Sequence, residues 1–320
     1  MKGSSYNELP NIGDLLISQQ KYHMLNRPIP QILLATFAFA IMNTFAKNLS
    51  DFHPLQVVFF RAIGTFVFVF PFMIHKKVSI VGTHVKALLV RAVVGFISLA
   101  SFFIVVQEMP LGSAVSIRYL GPIFGAILAY FFLKERISIW QWVSFMIAFS
   151  GVIVLKGFDL RIGTYGLLLV LNSAVFVGIV FVMLRYLGTR EHHLTIINYF
   201  MMVSILGSLF FVRHWRMPVG EEWLPVVGIG LCGLAGQILM TQAFQKETTS
   251  VLAPFKYMEL VYALLIGFFF LGETYEWLPF SGIGLIIFGM ILNVWAKPKP
   301  EGVTKDETLV TEKPKSVLER

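Results

Sequence analysis

Two stretches of this chain, 138 residues apart, share one unusual combination: an apolar run long enough to cross a bilayer, with a cation set well inside it. The first, residues 113–136, reads S-A-V-S-I-R-Y-L-G-P-I-F-G-A-I-L-A-Y-F-F-L-K-E-R. The second, residues 251–274, reads V-L-A-P-F-K-Y-M-E-L-V-Y-A-L-L-I-G-F-F-F-L-G-E-T. Laid on each other without a gap, they pair Arg118 with Lys256, Tyr119 with Tyr257, Phe132-Leu133 with Phe270-Leu271 and Glu135 with Glu273. The same offset pairs Lys47 with Arg185, Gly95 with Gly233, Gln107 with Gln245 and Gly151 with Gly289. A register that matches intramembrane cations points to duplication rather than to chance likeness between apolar segments.

The totals agree with a membrane chain. Of 320 residues, 56% are hydrophobic and 14% charged, against about 25% charged in soluble proteins. The net charge of +8 comes from Lys and Arg scattered between apolar runs. No basic stripe with interleaved aromatics is present, so nucleic acid is not the expected partner. The single cysteine, Cys232, excludes an intrachain disulfide. Residues 1–28 are polar and hold no cleavable signal peptide, so the first span acts as its own insertion signal.

Ten apolar runs of roughly 17–23 residues, the range of membrane helices, fall near 31–48, 54–74, 86–106, 113–133, 139–156, 164–184, 194–212, 223–244, 251–271 and 278–296. The chain therefore divides into a polar leader (1–30), a first five-span repeat (31–156), a second (164–296) and a disordered tail (297–320). A short interfacial helix is expected in the leader around Asp14 to Leu25. With the N-terminus inside, 18 of the 26 Lys and Arg fall in the leader, the inner loops and the tail. Five fall in outer loops, and Arg61, Arg118 and Lys256 lie within spans. That asymmetry puts both termini in the cytoplasm. Because each half holds an odd number of spans, the second half enters from the opposite side, which makes the halves inverted repeats.

The aligned cores resemble the drug/metabolite transporter superfamily in its EamA-type branch of ten-helix carriers. Each core has the pattern of a small-residue start, a helix, an apolar Phe/Leu run and L-G-E, and the helices through Gly151 and Gly289 fit as well. The likeness spans roughly 31–296, and the first copy departs from it at Lys134, where the pattern has glycine. The resemblance implies two five-helix bundles around a central cavity lined mainly by the first, third, fourth, sixth, eighth and ninth spans. It implies alternating access without ATP, and it leaves the substrate open.

Arg118 and its inverted twin Lys256 are the leading site candidates, since a charge inside a span is costly and by default marks a pathway. Arg118 lies about 7–8 Å inward at 1.5 Å per residue, on a single helix whose face continues through Pro122, Gly125 and Ala129. The alternative for Arg118 is a side chain that snorkels to the headgroups. Glu259 follows Lys256 by three residues, close enough for the two to neutralise each other, and is the acid set deepest in a span. Tyr119, Tyr257 and Tyr262 offer hydroxyls beside these charges. Asn43 and Lys47 on the first span, Asn172 and Ser173 on the sixth, and Gln237, Thr241 and Gln242 on the eighth are polar groups for a cavity lining or for interhelical bonds. Arg61 either binds solute or pairs with Glu108. Glu135 and Glu273, at helix ends, are expected to cap or pair.

No phosphate loop, G-x-S-x-G or H-E-x-x-H is present, and His192-His193 has no further ligands nearby, so neither an enzyme nor a metal or cofactor site is expected. An integral-membrane lipid-modifying enzyme would gather acids and histidines at one interface, whereas these charges are spread over both. The expected function is a secondary transporter in the plasma membrane, the bacterial inner membrane. Its solute is an amino acid or a related zwitterion or anion. A carrier of drugs or cationic metabolites on the same fold is the alternative. Protons are the candidate coupling ion, membrane lipids surround the spans, and a homodimer is left open.

Overall fold

The computed structural model describes residues 27–133, 138–158, 162–246, 252, 255–274 and 276–296. The expected leader helix, the tail and Glu135 lie outside the described residues. The helices are α1 (Pro28–Asn48), α2 (Pro54–His75), α3 (Val85–Glu108), α4 (Leu111–Arg118), α5 (Gly121–Leu133) and α6 (Ile139–Phe158) in the first half. In the second they are α7 (Thr164–Leu187), α8 (His193–Leu209), α9 (Trp223–Lys246), α10 (Met258–Phe270) and α11 (Trp277–Trp295). Proline at the first turn starts α1 and α2, where a missing N–H costs nothing. The second helix of each half is capped alike, with His53 accepting from the Leu55 N–H and His192 from the Leu194 N–H.

The stretches Pro28–Asn48, Pro54–His75, Val85–Glu108, Thr164–Leu187 and Gly220–Lys246 are long and apolar enough to cross a membrane. The remaining spans are shorter apolar helices. Phe131, Met146, Ile153, Phe210, Phe269 and Trp277 are each more than two-thirds exposed. Water would not tolerate such side chains in that number, and lipid does.

One expectation is corrected. The fourth span is not a single helix: α4 starts at Leu111, and the chain turns at Tyr119-Leu120 before α5 resumes at Gly121. Pro122 has no N–H to give the Arg118 carbonyl and its ring crowds that carbonyl, which favours a break at this point. The ninth span turns at Tyr257, the repeat partner of Tyr119. The two breaks therefore fall at equivalent residues, each directly after the cation of its span.

Packing obeys the same symmetry. α1 packs on α9 as α3 packs on α7; α2 packs on α9 as α3 packs on α8; α6 meets α11, and α2 meets α8, across the axis itself. At the α6–α11 crossing, a Cβ on Gly151 would come within 2.7 Å of the Gly282 carbonyl and the Ile286 nitrogen. A Cβ on Gly289 would come within 2.8 Å of the Ser144 carbonyl and 2.7 Å of the Ala148 nitrogen. Adding 138 to the first half's numbers turns one set of contacts into the other, the mark of a two-fold interface. With five spans in each half, that axis lies in the membrane plane. The molecule is an all-α membrane protein of ten spans in two inverted repeats.

At both ends of the bundle polar side chains tie loops together. On the side away from the start of α1, Lys47 Nζ lies 3.1 Å from Glu273 and donates to the Met109 carbonyl at 2.8 Å. Glu273 also accepts the Leu111 N–H at 2.8 Å, so its charge sits at the N-terminus of α4. Gln107 donates to the carbonyls of Leu49 and Phe52, and on the other side its repeat partner Gln245 donates to those of Gly188 and Glu191. There the Glu191 carboxylate accepts the backbone N–H groups of Thr83 and His84 and contacts the His84 ring. Burial works to raise the Glu191 pKa, but these hydrogen bonds outweigh it and hold the carboxyl below its ordinary value.

Replacing Gly151 or Gly289 by Val should lower the thermal midpoint of the detergent-solubilised protein by similar amounts, since each glycine sits on the same crossing. A loss at one position alone would contradict the two-fold packing. Because Glu191 has a lowered pKa, its contribution to stability is complete above the ordinary carboxylate range and is lost as pH falls through the lowered value. Melting curves should therefore show an acid-side loss of stability that is reduced in Glu191→Gln.

Candidate functional site: a buried carboxylate at the paired helix breaks

The two breaks bring their polar residues together at the centre of the bundle. Glu259, in the first turn of α10, is 3% exposed and uses both oxygens. Asn43 Nδ2 of α1 donates to Oε1 at 3.1 Å, and the Tyr119 hydroxyl donates to Oε2 at 2.7 Å. Hydrogen bonds to a charged group contribute about 1.5–3 kcal/mol each, which makes this carboxylate an anchored feature rather than a stray one. The Tyr119 hydroxyl also lies 2.9 Å from the Lys256 carbonyl. It has a single proton, so the two acceptors compete for it. The rings of Tyr119 and Tyr257 meet edge to face, 5.7 Å apart, and hold the two breaks against each other.

Both cations approach this point. Lys256 Nζ stands 5.4 Å from the Tyr119 ring centroid and 5.2 Å from that of Phe181, with no ion pair to Glu259 within 4.0 Å. Lys256 and Glu259 thus do not neutralise each other by contact. The Arg118 guanidinium lies 4.2 Å from the Phe102 ring centroid, and its Nε is buried without a hydrogen-bond partner. A cavity of about 30 Å³, room for little more than water, is lined by Val115, Arg118, Tyr119, Val177, Phe181, Lys256 and Glu259. That is far below the volume of a small-molecule site, so a solute enters only if the lining side chains move apart. The fourth, sixth and ninth spans form its walls, and Asn43 of the first braces the carboxylate.

The other expected residues take these places. Gln237 accepts from Arg61 at 3.2 Å, and Thr241 returns its hydroxyl to the Gln237 carbonyl within α9. Asn172 donates to Ser101, Ser173 bonds Ser98, and Gln242 accepts from Gln31, all between helices. Tyr257 keeps a buried hydroxyl without a partner, and Tyr262 packs edge to face on Phe37. Gly121 and Gly125 seat α5 closely on α7 against Val177 and Gly178. Arg61 does not pair with Glu108, which is exposed; its Nε meets Met42 Sδ at 3.1 Å instead. Arg91, an inner-loop charge by the sequence tally, lies inside α3 and is 2% exposed, with its guanidinium 4.7 Å from the Phe200 ring centroid. Its place six residues past the start of α3 is the one signal that its depth was about 9 Å.

Two inverted five-span repeats, broken at equivalent residues around a charged central cavity, define a membrane transporter rather than an enzyme. The model of the EamA-like transporter family matches residues 27–156 and again 164–295. The chain belongs to that family, within the drug/metabolite transporter superfamily. It is 30% identical over 264 residues to the pseudopaline exporter CntI of Pseudomonas aeruginosa, covering 81% of this chain and 93% of that one. An S-adenosylmethionine uptake transporter of Rickettsia felis is 25% identical over 251 residues, covering 77% and 85%. A crystal structure of a protein 19% identical superposes with a TM-score of 0.59 over 82% of this chain and 96% of that one, which speaks for the fold alone. The chain is thus a multi-pass transporter of a small-molecule solute.

Proposed function

We propose that this protein is a secondary transporter that moves an amino acid, or a related zwitterion or anion, by alternating access across the bacterial inner membrane, with both termini in the cytoplasm. The observation that carries the reading is the charge set around the cavity: Arg118 and Lys256 rest on aromatic rings, while Glu259 is held by Tyr119 and Asn43. A carboxylate can draw either cation off its ring at little cost, because an ion pair in a low-dielectric site exceeds a cation–π contact. An ammonium finds Glu259 and the tyrosine hydroxyls. The relatives export one compound and take up another, so the direction of transport stays open.

Protons are the proposed coupling ion, with Glu259 as carrier. A proton on Glu259 turns the carboxyl into a donor to Tyr119, whose own hydroxyl proton then turns to the Lys256 carbonyl. Proton occupancy would thereby be felt at the break of the ninth span. Glu259→Gln protein should bind solute yet fail to accumulate it against a gradient in proteoliposomes, and accumulation at the wild-type level would remove Glu259 from that role.

The solute class is tested by thermal-shift titration of the purified protein with amino acids, nucleosides, organic acids and quaternary amines. Amino acids should stabilise it, and Arg118→Ala should weaken their binding by about ten- to a hundredfold, the loss of one charge-assisted contact. Stabilisation by quaternary amines alone would favour the cationic-metabolite reading and overturn this one.

A further inference from the structure

Beyond the cavity, two arginines are buried with no acid among the described residues to meet them. Arg61 of α2 and Arg91 of α3 are each 2% exposed. They approach Phe200 of α8, with guanidinium carbons 5.3 Å and 4.7 Å from its ring centroid. Arg61 Nη1, Arg91 Nε and Arg91 Nη1 are buried without a hydrogen-bond partner, and so is Arg118 Nε. Arg61 and Arg91 thus share one ring, whereas Arg118 rests on Phe102.

Every described acid is accounted for elsewhere. Glu259 is bonded to Tyr119 and Asn43, Glu273 to Lys47, Glu191 to the Thr83 and His84 amides, and Glu222 to Arg216. Asp51, Glu108, Glu221 and Glu276 are exposed. The neighbours that face Arg61 are Met42 and Gln237, and a Cβ on Gly233 or Gly95 would press on Arg61 or Arg91 respectively. A guanidinium inside a bilayer is costly even when paired, and leaving its N–H groups unmet adds a desolvation penalty for each. Aromatic rings and a thioether offset only part of that. Gly233 and Gly95 let both side chains lie close against the helix backbones of α9 and α3.

We propose that Arg61 and Arg91 form a second anion subsite, so that the solute carried has at least two anionic groups, of which carboxylates suit the planar forks of arginine best. The proposal rests on the reading of Arg118 and Lys256 as the site of a first carboxylate. Arg118 then borders both subsites, with the cavity at Lys256 on one side and the Arg61–Arg91 pair on the other. The solute class narrows from amino acids in general to dicarboxylic amino acids and polycarboxylates.

The test uses the full-length protein in nanodiscs and thermal-shift titration with L-alanine, L-glutamate, succinate and citrate. Glutamate or a polycarboxylate should act at concentrations at least about tenfold below those of alanine, the minimum for one further charge-assisted contact. In Arg91→Gln or Arg61→Gln that ratio should fall toward one, and Arg91→Lys, which keeps the charge but not the fork, should fall between. If alanine binds through Arg118 while no dianion binds more tightly, the second subsite is refuted and the reading of the first stands. If Arg118→Ala leaves every titration unchanged, the reading of the first fails, and with it the basis of this proposal. Variants that melt early yet keep the wild-type ratio would also refute it, assigning the two arginines to packing alone.

Discussion

A charge taken into the hydrocarbon of a bilayer must find its compensation within the protein, and that constraint organises this molecule. Glu259 meets it fully, with a donor on each oxygen. Arg118 and Lys256 meet it with the faces of aromatic rings, a weaker arrangement that a carboxylate can displace. The contrast gives the cavity its chemistry: one anion held firmly, two cations held lightly. The helix breaks matter for the same reason, because they place Arg118 and Lys256 at the ends of helical segments and point both at one central space.

The inverted repeat supplies a mechanical counterpart. Gln107 and Gln245 are repeat partners, and each ties its helix to loop carbonyls on its own side of the bundle. The Lys47–Glu273 contact has sequence partners in Arg185 and Glu135, of which Glu135 lies outside the described residues. A two-fold axis in the membrane plane exchanges the two sides. The glycines of the α6–α11 crossing lie across that axis and bind the repeats together.

Much of this was legible in the sequence because the duplication repeats chemistry as well as hydrophobicity. Span number, the repeat and the pairing of Arg118 with Lys256 all follow from one ungapped register. The breaks at Tyr119 and Tyr257 were harder to see, because hydropathy reads straight through a short turn. Pro122 was the one local warning in the first copy. Arg91 was misplaced because it stands close enough to Lys76, Lys77 and Lys86 to be read as a loop charge. Its burial depends on α3 starting at Val85 and turning that side chain toward Phe200. The bond between Tyr119 and Glu259 joins residues 140 apart in different repeats, and no pattern within one chain segment encodes it.

The central claim is that the solute binds between the two helix breaks. A structure of the protein determined with a bound amino acid tests it most directly. The account predicts a carboxylate within about 3.2 Å of Arg118 or Lys256, the limit of a hydrogen bond, and the corresponding cation lifted from its aromatic ring. A solute bound elsewhere, with Arg118 still over Phe102 and Lys256 still over Tyr119 and Phe181, would contradict it.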